Sequence, residues 1–122
     1  MIGVLLALAG GLGAATRFAV DGVVARHNRW PFPLGTVVIN VSGSLLLGAV
    51  TGLAMRHTGL TDLKLVAGTG FLGGYTTFST ASVEAVRLAT GSRPAVEAVL
   101  HAVGMALLGL AGAGLGLWVT LI

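Results

Sequence analysis

From Leu34 to Met55 the chain carries no charged side chain. That is the length an α-helix needs to cross the hydrocarbon core of a bilayer, about 20 residues at 1.5 Å of rise each. In hydrocarbon every backbone N–H and C=O must find a partner within the protein, and a helix supplies them within itself. Three further segments are mainly apolar over a similar length, with Lys64, Glu84, Arg87 and Glu97 toward their ends, which places helices at about 2–24, 34–55, 64–89 and 95–122. The first is interrupted by Arg17 and Asp21. The expected fold is an all-α membrane protein with four transmembrane helices in a single integral membrane domain, 1–122.

Composition agrees. The chain is 55% hydrophobic and 9% charged, where a soluble domain carries about a quarter charged residues. Its polar side chains are too few to cover a water-facing surface. It has no cysteine, which excludes disulfides and thiolate metal sites. The net charge of +3 resides mostly in connecting segments and points to membrane topology, not to nucleic acid. Trp30, Phe32 and Trp118 fit an interfacial aromatic belt. A signal peptide at the start fits poorly, because no basic run precedes the first apolar stretch and Arg17 falls where a cleavage site needs small residues.

The connections are short. "ARHNRWPFP" (Ala25 to Pro33) carries Pro31 and Pro33, which suit a turn and a helix start. "RHTGLTDLK" (Arg56 to Lys64) and "TGSRP" (Thr90 to Pro94) follow, and none has room for a soluble domain. Arg26, Arg29, Arg87 and Arg93 fall on one side of the membrane, against Arg56 and Lys64 on the other, a weak bias that leaves orientation open. "GAVTG" (Gly48 to Gly52) and "GAGLG" (Gly112 to Gly116) are small-xxx-small patterns that let helices approach closely.

Three polar clusters interrupt the apolar spans. In "GGLGAATR" (Gly10 to Arg17), Arg17 is open to three readings: it snorkels, pairs with Asp21 at i+4, or draws anions. In the second helix, Thr36, Asn40 and Ser44 fall at i, i+4 and i+8 on one stripe. They serve either as interhelical hydrogen-bonding partners or as a polar line replacing water around a solute. The third cluster is "GGYTTFSTASVE", Gly73 to Glu84. Its paired glycines predict a third helix broken near its middle. Backbone freed at that depth is tolerated only where protein or a cavity satisfies it, and helix ends with free carbonyls are usual tools for holding ions. Phe78 flanks the break and offers a positive ring edge to an anion. A plain glycine kink accounts for the glycines but not for the hydroxyls. No catalytic set is present: there is no Ser–His–Asp arrangement, no paired intramembrane carboxylates and no HExxH, so an enzyme is not expected. His101 reads as a packed polar residue.

Taken in order, "GGLGAATRF", "PLGTVVINVSGSLLLG" and "GFLGGYTTFSTASVE" resemble the motifs of the Fluc (CrcB) family of fluoride channels over nearly the whole chain. The resemblance implies a passive fluoride-selective channel of the cell membrane that lowers cytoplasmic fluoride. It implies an antiparallel, dual-topology dimer with two pores and a structural sodium ion at its centre. The residues matching the sodium site are Gly73 and Thr76, through main-chain carbonyls. Those matching the anion path are Asn40, Arg17, Phe78, Ser79, Thr80 and Glu84, to which Thr36 is added from its stripe. One departure stands out: the family pattern has a second phenylalanine where this chain has Ala81. His101, Met105 and Gly109 also fall where the fourth helix often bears hydroxyls. Three readings follow: a fluoride channel subunit working as a homodimer or heterodimer, a non-conducting or half-functional partner of a sister subunit, and a small proton-coupled exporter of cations. The last needs a membrane-embedded carboxylate, and Asp21 and Glu84 lie near helix ends.

Overall fold

The computed structural model describes residues 1–90 and 94–122. The expected connection at Thr90 to Pro94, with Arg93 in it, falls largely outside the described residues. Among those described the chain is helical throughout, with no strand. Helix α1 runs Ile2–His27, past its expected end near Val24, and α2 runs Leu34–Arg56. Two short turns, Thr58–Leu60 and Thr61–Leu63, lead into a π-helical stretch, Lys64–Leu72, and a single α-turn, Gly73–Tyr75. Helix α3 spans Phe78–Ala89 and α4 spans Pro94–Leu121. Among the described residues three helices, α1, α2 and α4, are long and apolar enough to cross a membrane. Their outer faces expose Leu8, Leu12, Phe18, Leu110 and Trp118, side chains that lipid can cover. The protein is a multi-pass membrane protein.

The turn between α1 and α2 is tied by Asn28. Its Nδ2 donates to the Phe32 carbonyl at 2.8 Å, and its Oδ1 accepts the Trp30 N–H at 2.9 Å. Pro33 then stands at the N-cap of α2, where a missing N–H costs nothing.

The helices meet through glycine. A Cβ on Gly48 would overlap the Ala113 carbonyl, and one on Gly52 the Thr120 hydroxyl. In return, a Cβ on Gly116 would overlap the Leu45 carbonyl. The two small-xxx-small patterns therefore interlock with each other across α2 and α4. On the other side, α1 lies against the third segment: Gly13 takes the Phe71 carbonyl and Gly74 takes the Gly10 carbonyl, each where a side chain would collide. Between these layers sits a small core of Ile39, Leu72 and Tyr75, packed by Val20 and Phe71. The π-helical stretch carries Gly68 and Gly70, with Gly73 just beyond it, and the Gly73 N–H reaches back five residues to the Gly68 carbonyl.

Candidate functional site

After Tyr75 the helical backbone stops. Thr76 (ψ 160°) and Thr77 (φ −146°, ψ 123°) are extended, and helical geometry resumes at Phe78. Thr77 is the N-cap of α3: its Oγ1 accepts the Thr80 N–H at 3.1 Å. In an unbroken helix the Thr77 N–H would donate to the Gly73 carbonyl. Here it donates to Asn40 Oδ1 at 2.8 Å, while Asn40 Nδ2 donates to the Thr77 carbonyl at 2.8 Å. One side-chain amide on α2 thus satisfies both polar backbone groups of Thr77. An amide or carbonyl left bare at that depth costs about 1–3 kcal/mol or more.

The other residues singled out in the sequence gather around this clamp. Thr36 is 2% exposed, and its Oγ1 donates to Glu84 Oε1 at 2.7 Å. Thr77 Oγ1 is a hub, 3.0 Å from Thr80 Oγ1 and 3.3 Å from Ser79 Oγ. The Thr76 hydroxyl turns back to the Leu72 carbonyl at 2.9 Å, so it is occupied within its own segment. A groove of about 580 Å³ is lined by Asn40, Ser44, Gly73, Thr76, Phe78 and Ala81 together with His101, Met105 and Gly109 of α4. Phe78 stands at its edge, 88% exposed. A smaller cavity of about 220 Å³ holds Arg17, Phe18, Asp21, Thr36 and Thr80, and Thr77 lines both spaces.

The ion-pair reading of Arg17 is corrected. Among the described residues the one contact between a carboxylate and a basic side chain is His101 with Glu84, at 3.5 Å. Asp21 instead reaches across to α2, its carboxylate lying where a Gly35 side chain would otherwise be. That leaves Arg17 lining the smaller cavity. His101 is indeed packed: it is 1% exposed and edge-on to Phe32, with ring centroids 5.4 Å apart.

Sequence reasoning missed Thr77 as the organising residue. The signal was weak: threonine is a favoured N-cap residue, but Thr76, Ser79 and Thr80 beside it are eligible as well, and no Glu or Gln stands three residues on to mark Thr77. It also missed the contact between Ser42 Oγ and the Tyr75 hydroxyl at 2.9 Å, which ties α2 to the last turn before the break.

Residues 4–117 match the family model described as CrcB-like protein, Camphor Resistance (CrcB). The chain is 55% identical over 113 residues to fluoride-specific ion channel FluC 1 of Leifsonia xyli subsp. xyli, covering 93% of this chain and 82% of that protein. It is 55% identical over 111 residues to fluoride-specific ion channel FluC 2 of Cutibacterium acnes, covering 90% of this chain and 89% of that one. Fluoride-specific ion channel FluC of Nitratidesulfovibrio vulgaris is 46% identical over 116 residues, covering 93% and 92%.

Proposed function

The chain belongs to the CrcB family, and from that membership we propose that it is a subunit of a fluoride-specific ion channel through which fluoride leaves the cell passively. The observation that carries the reading beyond kinship is the clamp between Asn40 and Thr77. It holds a helix break open beside a groove, and it commits one of the two Asn40 N–H donors to Thr77. The second is available to a solute.

Fluoride sheds water only where other donors replace it. On this reading Asn40 supplies an N–H, Ser79 and Thr80 supply hydroxyls, Thr36 uses its own proton to hold the Glu84 carboxylate at the end of that run, and Phe78 supplies a positive ring edge. Arg17, lining the smaller cavity, raises the local anion concentration, and Glu84 closes the hydroxyl run. Fixed dipoles and one basic side chain suffice for downhill flow. The coupled-exporter reading gains nothing from the geometry, because Glu84 is held by Thr36 and faces His101.

The Thr76–Thr77 interruption is read as the break within a third membrane crossing formed by Lys64–Ala89. Sodium is proposed at the carbonyls of Gly73 and Thr76. Two observations support that choice. The Thr77 N–H that would serve the Gly73 carbonyl goes to Asn40, and the Thr80 N–H that would serve the Thr76 carbonyl goes to Thr77 Oγ1. Both carbonyl oxygens thereby lose the helical N–H that would otherwise serve them, and oxygen is the ligand a hard cation takes. When bound, the ion would add positive charge that steadies the break. The groove is open along the side where Gly73 and Phe78 are exposed, which suits closure by a second chain in an antiparallel dimer. The test is fluoride efflux from liposomes holding the purified chain with no proton gradient and chloride as the control ion. The reading expects fluoride to leave and chloride to stay.

A further inference from the structure

The gap at Gly35 decides where Asp21 rests. Arg17 and Asp21 stand one helical turn apart on α1, the i, i+4 spacing at which an ion pair forms. They are the two charged side chains lining the smaller cavity, with Thr36 and Thr80 beside them. Among the described residues no carboxylate pairs with Arg17. Asp21 instead lies against the first turn of α2, where a Cβ on Gly35 would meet its Oδ1. That end of α2 attracts it. The first N–H groups of a helix have no intrahelical partner and carry partial positive charge. The N-cap is Pro33, no side chain caps this end by a hydrogen bond, and the first turn holds no acidic residue of its own.

We infer that Gly35 and Asp21 are positioning residues that act through Arg17: the missing side chain at Gly35 lets the Asp21 carboxylate rest on α2, and so leaves the guanidinium free to draw anions into the smaller cavity. This rests on the fluoride-channel reading of the site. A side chain at Gly35 would displace the carboxylate and little else. The three atoms nearest to its Cβ all belong to Asp21, and the backbone one, Asp21 Cα, is at an ordinary 3.7 Å. The carboxylate is the free end of a short side chain and can rotate. Helical side chains lean toward the N-terminus of their helix, so the rotation open to Asp21 carries it back along α1 toward Arg17. Paired there, the two charges cancel at the cavity and the anion loses its steering. Glu84 is no part of that lining, and Thr36 donates to its Oε1 at 2.7 Å.

The experiment measures fluoride efflux from liposomes well below saturating fluoride. It is run at about 0.01 M and about 1 M of an impermeant salt, between which the Debye length falls from about 30 Å to about 3 Å. It compares the wild-type chain with Gly35→Ala and with Gly35→Ala combined with Asp21→Asn. At low salt Gly35→Ala should lose about tenfold in flux, the low end of what a focused charge adds to ion arrival. At high salt that loss should shrink to less than about threefold, because screening removes the advantage of a free guanidinium. Adding Asp21→Asn should restore the low-salt flux, since an amide cannot cancel Arg17. Wild-type flux from Gly35→Ala at low salt would overturn the inference. So would a loss that persists at high salt or survives Asp21→Asn, since either marks a packing effect. If Gly35→Ala fails to assemble, Asp21→Glu takes its place. Its longer side chain overfills the gap and reaches Arg17, so the same salt-dependent loss is expected, and no loss would overturn the inference. Should the wild type pass no fluoride, the channel reading of the lone chain fails, and the rest position of Asp21 is judged on Arg17 itself. Phenylglyoxal, which attacks guanidinium groups, should then modify Arg17 several-fold more slowly in Gly35→Ala than in the wild type, and at the wild-type rate once Asp21→Asn is added. Equal rates in the first two proteins would overturn the inference as well.

Discussion

Asn40 has two tasks at one amide. It pairs with both backbone groups of Thr77, and on the proposed reading it also offers its second N–H to the anion. Asn40→Asp separates these from simple packing. The carboxylate still accepts the Thr77 N–H, but it has no donor for the Thr77 carbonyl and adds a negative charge at the path. The lost pairing should cost about 1–3 kcal/mol of stability. A unit charge 4 Å from an anion opposes it by about 4 kcal/mol at an effective dielectric of 20, so flux should fall by at least about 100-fold. A melting curve and a liposome flux assay check the two halves separately, and parental flux from the variant would reduce Asn40 to a packing residue. As a lone amide in a charge-free helix, Asn40 was legible in the sequence. Its partner was not, because which backbone N–H is free depends on where the third segment breaks. The same limit applied to Arg17, whose i+4 neighbour Asp21 was drawn away by a glycine on another helix.

At the scale of elements, backbone contact at glycine decides the packing. Gly48 lies against the Ala113 carbonyl, whereas nothing lies within 4 Å of a side chain built on Gly114. Gly48→Ala should therefore force α2 and α4 apart, at about 1–3 kcal/mol for overpacking. Gly114→Ala should be neutral or gain up to about 1 kcal/mol from better helix propensity. Thermal melting of the two purified variants checks this, and equal melting would mean that the interlock does not govern stability. The sequence showed both glycine patterns, but helical periodicity reveals which face is small and not which helix covers it. Likewise, paired glycines and a run of hydroxyls marked the third segment as weak. The π-helical turns before the break were hidden, because α1 packs against that stretch from far away in sequence.

For the whole molecule, the absence of charge over long segments made a multi-pass membrane protein readable from composition alone. Three shared motifs made the family readable as well. What composition could not carry is the ion chemistry at the break. If sodium is held by the Gly73 and Thr76 carbonyls, it should stabilise the assembly by mass action, by about 2.7 kcal/mol at a hundred times its dissociation constant. Melting in sodium should then exceed melting in an equal concentration of a large organic cation, and equal melting would remove the proposed ion. The most direct test of the central claim is passive fluoride efflux from liposomes containing only this chain, followed beside chloride with no proton gradient imposed. The account predicts rapid loss of fluoride and retention of chloride. Retention of fluoride, or equal loss of both ions, would contradict it.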